Sequence, residues 1–82
     1  MSDADLNARL AALLGEDHAS FEAIRDGARC RALMARFDVD LNWSEGVWSA
    51  QIVDPDGRPR EEEDALATRA AVKVILAAHE GR

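Results

Sequence analysis

Between residues 37 and 53, apolar and polar side chains trade places at nearly every step. Phe37, Val39, Leu41 and Trp43 alternate with Asp38, Asp40 and Asn42, the period-2 pattern of a half-buried strand. After Ser44-Glu45-Gly46, Trp48, Ala50 and Ile52 fall on one face, and Val47, Ser49, Gln51 and Val53 on the other. A three-residue link ending in glycine suits a hairpin whose last loop position takes a positive φ. The rest of the chain reads as helix that covers the apolar face of this hairpin.

Ahead of the hairpin, Leu6, Leu10, Leu13 and Leu14 follow the helical period, with Ser2 or Asp3 as cap and Gly15 as stop. From Glu16 to Phe37 the apolar stripe changes register. Phe21, Ile24 and Ala28 make one stripe; Cys30, Leu33, Met34 and Phe37 make another. Gly27 lies at the change, so the pattern predicts two helical pieces, about 17–26 and 28–36, with one bent helix as the alternative.

Behind the hairpin, Asp54-Pro55-Asp56-Gly57 carries the residue types of a tight turn. It predicts that Arg58–Glu62 returns as a short third strand, which Pro59 places on an edge or makes irregular. Glu61, Glu62, Glu63 and Asp64 are then expected just before or within the first turn of a last helix, where the dipole favours negative charge. That helix is expected over about 64–79, with Leu66, Ala67, Ala70, Ala71, Val74, Ile75 and Ala78 inward. The architecture is therefore α+β in one domain over 1–82: a helical lead-in over 1–36, an antiparallel hairpin or three-strand meander over 37–62, and a C-terminal helix over 63–79 packed on the sheet.

The run Asp-Val-Asp-Leu-Asn-Trp-Ser-Glu-Gly-Val-Trp-Ser-Ala-Gln-Ile-Val-Asp-Pro-Asp-Gly, followed by Ala67-Thr68-Arg69-Ala70-Ala71-Val72, resembles the small phage proteins grouped as the phage ABA sandwich domain. The matching positions are Trp43, Gly46, Trp48, Asp54, Gly57, Arg69, Ala70 and Ala71, within residues 36–78. Thr68 stands where the family usually has cysteine, and the segment after Gly57 is unusually acidic. The leading helices, 1–35, have no counterpart in it. The resemblance implies a fold and a phage or prophage origin, and no general biochemical activity.

Charge changes the picture next. The 82 residues carry a formal −6, spread unevenly. Residues 1–24 have five acids against Arg9, and residues 25–36 four arginines against Asp26. Residues 37–64 have nine acids against Arg58 and Arg60, a net −7. This balance speaks against direct binding to nucleic acid through a large basic face. No apolar run approaches the roughly 18 residues of a membrane span, and the acidic start is wrong for a signal peptide. Cys30 is the single cysteine, so no internal disulfide forms and a reducing compartment fits. The expectation is a soluble protein in the cytoplasm of a bacterial host.

No phosphate loop, nucleophile elbow or Cys/His ligand pair is present, so no catalytic, cofactor or metal site is expected. His18 and His79 fall in separate expected helices, and lone histidines are more often surface or capping residues. Cys30 lies between Arg29 and Arg31, which would favour thiolate, but its place in an apolar stripe favours a buried structural role. Asp54-Pro55-Asp56-Gly57 resembles the start of a calcium loop without its distal glutamate, and turn chemistry explains it better. Trp43 and Trp48 are expected to face each other across the hairpin, buried between sheet and C-terminal helix.

The acidic row has the most functional content. Strand parity puts Asp38 and Asp40 on the outer face, about 6.6–7 Å apart, and Glu45, Asp54, Asp56, Glu61, Glu62, Glu63 and Asp64 lie near the same sheet. Carboxylates so spaced can stand in for phosphates. The leading expectation is a small acidic non-enzymatic phage-type protein, most concretely an anti-CRISPR-like inhibitor occupying a basic nucleic-acid-binding surface of a host protein or nucleoprotein complex. The alternative is a phage accessory protein acting through homodimerisation or other protein contacts, with no inhibitory role. A homodimer is expected in either case, because 82 residues can hardly cover the apolar surface of such a sheet and helix.

Overall fold

The computed structural model describes residues 1–17 and 19–80. It has the expected α+β architecture: two N-terminal helices, a three-strand antiparallel sheet and a C-terminal helix packed on that sheet. Helix α1 spans Asp3–Leu14. The Ser2 hydroxyl accepts the Asp5 N–H at 3.1 Å, and Gly15, at φ 72, closes the helix with its N–H on the carbonyls of Ala11 and Ala12. Leu6, Leu10 and Ala11 are buried.

The expected helix over 17–26 is not formed. The described residues of that segment run irregularly, and α2 spans Gly27–Phe37, so Gly27 begins a helix instead of dividing one. Asp26 is the cap, accepting the Arg29 N–H at 3.1 Å. Side chains take the place of helical hydrogen bonds in the preceding segment. Glu22 Oε2 accepts the N–H groups of Ile24 and Arg25, both at 3.0 Å. Asn7 Oδ1 accepts the Ala23 N–H at 3.1 Å, while Asn7 Nδ2 donates to Glu22 Oε2 at 2.8 Å. A carboxylate offering itself to nearby N–H groups competes with helix formation, and here it is held in place by buried Asn7 of α1. Phe21, Ala23 and Ile24 are buried all the same. Their spacing reports burial, not helix.

Phe37 ends α2, and Asp38 caps it in the left-handed conformation, φ 58, with its N–H on the Met34 carbonyl. Phe37, Asp38 and Val39, expected in the first strand, therefore lie outside it, and the strand begins at Asp40. Strands β1 (Asp40–Ser44), β2 (Val47–Val53) and β3 (Pro59–Asp64) are ordered β1-β2-β3, with Trp43 opposite Trp48 and Ala50 opposite Glu62. The first hairpin loop is the pair Glu45-Gly46, one residue shorter than expected, because both adopt positive φ (52 and 84). Paired positive φ values match the right-handed twist of the flanking strands.

Two further expectations are corrected at the C-terminal side. Glu61–Asp64 belong to β3, where exposed Glu61 and Glu63 alternate with half-buried Arg60, Glu62 and Asp64. The final helix, α3 (Ala67–His79), starts only after them, and Leu66 is its exposed N-cap residue, not an inward one. On one side of α3, Ala70, Val74 and Ala78 pack on Ala50 and Ile52 of β2. On the other, Val72, Ile75 and Leu76 pack with Leu6, Leu10, Phe21, Ile24 and Leu33. The sheet thus covers one side of α3, and α1, α2 and their connection cover the other.

Asn7→Ala is expected to destabilise the protein by about 1–3 kcal/mol, since it strands the buried Ala23 N–H and frees the Glu22 carboxylate from its hold. Denaturant unfolding measures this; a midpoint equal to the parent's would show that the connection is held by its apolar residues alone.

Candidate interaction surface

The register assigns each carboxylate to a face. Paired residues of neighbouring strands share a face, so Asp40, Gln51 and Glu61 form one outward row across the sheet, and Asn42, Ser49 and Glu63 the next. α3 covers the opposite face through Ala50 and Ile52. Asp40, Glu61 and Glu63 are all exposed, and no lysine or arginine lies in either row. Gln51 Nε2 donates to Glu61 Oε2 at 2.6 Å, which holds that carboxylate over the middle of the sheet. Glu61 and Glu63 are two residues apart on one strand, or about 6.6–7 Å.

The other acids of the expected set are placed differently. Asp38 is at the end of α2, off the strand, and Glu45 is at the hairpin tip. The Asp54 side chain is buried inside its turn, where it accepts the N–H groups of Asp56 and Arg58, each at 2.9 Å, and Arg60 Nε at 3.0 Å. Asp56 is exposed in the same turn. Glu62 and Asp64 project to the covered face, since they pair with Ala50 and Trp48.

That inward placement has a structural use. Asp64 accepts the Leu66 N–H and Arg69 Nε, both at 3.1 Å, and Lys73 Nζ lies 3.5 Å away. Lys73 also donates to the Glu63 carbonyl at 2.7 Å, and Arg69 reaches Asp3 of α1. The two cations, four residues apart on one side of α3, fasten β3 and the start of α1 to the helix. Burial pushes the Asp64 carboxyl up, but the Leu66 N–H, the Arg69 guanidinium and Lys73 outweigh it, and the net effect is below the ordinary aspartate value.

The tryptophans do not lie buried between sheet and helix. Their rings meet at 5.2 Å between centroids, tilted by 54°, yet Trp43 is 56% exposed and Trp48 only half-buried. Trp43 is on edge strand β1, whereas α3 lies over β2 and β3. Cys30 is buried, and burial pushes its thiol up from the ordinary value. Neighbouring Arg29 is directed elsewhere, onto the Phe21 ring and toward Glu16. His79 packs against the Phe37 ring at 5.0 Å; His18 lies outside the described residues. Among the described residues no group of three or more His, Cys, Asp or Glu side chains is placed to hold a metal ion, and no helix is long and apolar enough to cross a membrane.

Asn7, Glu22 and Gln51 have organising roles that sequence patterning does not assign. Asn7 sits mid-helix beside Leu6, and only the tertiary placement of Glu22 and Ala23 gives its amide a use. Gln51 could have been found by strand parity, which sets it between Asp40 and Glu61 once β3 is extended to Asp64. Comparison with family models, with curated proteins and with solved structures finds no match to this chain.

The lowered Asp64 carboxyl has a consequence for acid stability. A carboxylate whose folded-state pKa is depressed contributes stability that is fully present above its unfolded value and is lost as pH falls through the folded one. Asp64→Asn is expected to lower stability at pH 7 and to flatten the acid limb of a stability-against-pH curve. Parallel curves for parent and variant would show that the Arg69 and Lys73 contacts contribute nothing net.

Proposed function

We propose that this protein is a non-enzymatic binding protein that docks the acidic outer face of its sheet on a basic surface of a protein or nucleoprotein complex. In its most concrete form it is an anti-CRISPR-like inhibitor that occupies a nucleic-acid-binding surface of a host complex. The observation that carries this reading is the division of the acids. Asp54 and Asp64 are used inside the fold, whereas Asp40, Glu61 and Glu63 share an exposed face with no cation in register. Opposed to a basic groove, such a face speeds encounter and excludes acidic competitors, with strong dependence on salt. The resemblance of residues 36–78 to the phage ABA sandwich domain supplies the phage setting.

The triple change Asp40→Asn, Glu61→Gln, Glu63→Gln is expected to leave stability within about 0.5 kcal/mol of the parent, because these side chains are exposed. In bacteria whose CRISPR system blocks an infecting phage, the parent is expected to restore plaque formation and the triple variant to lose that effect. No restoration by the parent against any CRISPR type contradicts the anti-CRISPR form. Equal restoration by a folded triple variant contradicts the role of this face.

One observation favours a second reading, an accessory protein that self-associates. Trp43, Leu66 and Val47 are exposed large apolar side chains near one end of the sheet, and tryptophan is a frequent interface anchor. On that reading light scattering gives a dimer that Trp43→Ala dissociates; a mass of 9.0 kDa at high concentration contradicts it.

A further inference from the structure

Strand β1 leaves the sheet before β2 ends. Its last pair is Asp40 with Gln51, and at Asp38 the left-handed turn carries the chain away into α2. Ile52 and Val53 continue as strand with β3 on one side only. Hydrogen-bonded and non-hydrogen-bonded pairs alternate along an antiparallel ladder. Counted from the tight loop, Ser44–Val47, Asn42–Ser49 and Asp40–Gln51 are the hydrogen-bonded pairs. By the same parity the N–H and C=O of Val53 point to the side that β1 has vacated.

Beside this open edge lies a cavity of about 550 Å³. Phe37, Ile52 and Pro59 give it apolar walls, and Asp38, Asp40 and Glu61 stand around it. Arg60 also lines it, but its Nε is on the Asp54 carboxylate, which answers its charge within the turn.

We infer that this notch is a docking groove for an extended basic segment of the partner protein. One peptide unit of that segment pairs with the open edge at Val53, and an adjacent arginine or lysine side chain enters the cavity. Its methylene stem covers Phe37 and Pro59, and its cation lies among the carboxylates of Asp38, Asp40 and Glu61. A nucleic acid does not fit, since its phosphates would meet three carboxylates, and a free peptide edge is answered by another backbone. The inference rests on the reading above that the partner is basic, and it names where that partner's chain is gripped.

The probe is the blocked peptide acetyl-Val-Arg-Val-Arg-Val-amide, titrated into the ¹⁵N-labelled protein, beside the same peptide with uncharged citrulline for arginine, and spermidine. The arginine peptide is expected to move the amide signals of Asp38–Asp40 and Gln51–Val53. The citrulline peptide, and the arginine peptide against Asp38→Asn with Asp40→Asn, are expected to bind at least about tenfold more weakly, as loss of a charge-assisted contact implies. Asparagine tolerates the left-handed position at 38, so the variant keeps its fold. Three results overturn the groove: no shifts with the arginine peptide, shifts confined to Ser49 and Glu63 away from the notch, or spermidine binding as tightly with the same shifts. None of these touches the plaque result for the Asp40, Glu61 and Glu63 triple change, so the groove can fail while the acidic face stands.

Discussion

Helix α3 has to be covered on both sides. Seven of its 13 residues are buried, and six of them divide in two directions: Ala70, Val74 and Ala78 toward the sheet, Val72, Ile75 and Leu76 toward α1 and α2. A helix apolar over so much of its circumference is stable only when it is enclosed, and neither the sheet nor the N-terminal helices can enclose it alone. Alanines dominate its sheet side, where they pack on Ala50 and Ile52, and the longer Val72, Ile75 and Leu76 pack among Leu6, Leu10, Phe21, Ile24 and Leu33 on the other. Phe37 and Val39 touch both clusters, so the short stretch joining α2 to β1 ties the two walls together.

This arrangement decides what the acids can do. β3 turns alternate side chains under α3, and there Asp64 meets Arg69 and Lys73. The same alternation leaves Glu61 and Glu63 outside, beside Asp40, where among the described residues only the Gln51 amide engages one of their carboxylates. The strongly negative segment 37–64 is thus two populations. One is structural, with buried Asp54 organising its turn and Asp64 fastening the helix. The other stands on a free sheet face and is the part open to a partner.

Much of this was legible in the residues. The leucine period of α1, the alternation in β2 and the turn at Asp54–Gly57 each specify their element locally, through a cap, a pleat and a preset φ. What was not legible depended on distant partners or on competition between two valid rules. Phe21 and Ile24 have helical spacing, but Glu22 and Asn7 offer the backbone a better set of bonds than a short helix would. The run Glu61–Asp64 suits a helix N-terminus as charge, yet its alternation continues the strand begun at Pro59, and pairing with β2 wins. Asp38 looked outward by parity, but a left-handed residue there ends α2 and delays the strand. Trp43 was expected in the core because it faces Trp48; its exposure follows from where α3 lies, which no local pattern records. On the candidate surface, the parity of Asp40 could be read directly, and that of Glu61 and Glu63 only once β3 was known to reach Asp64.

The central claim is that one enclosed helix makes the sheet and the N-terminal helices a single cooperative unit. Native-state hydrogen exchange at increasing denaturant tests it most directly. The account predicts that the slowest amides of α3, β2 and α1 share one opening free energy, equal to that of global unfolding. Exchange of the α1 amides at a distinctly lower free energy, with β2 and α3 still protected, would contradict it.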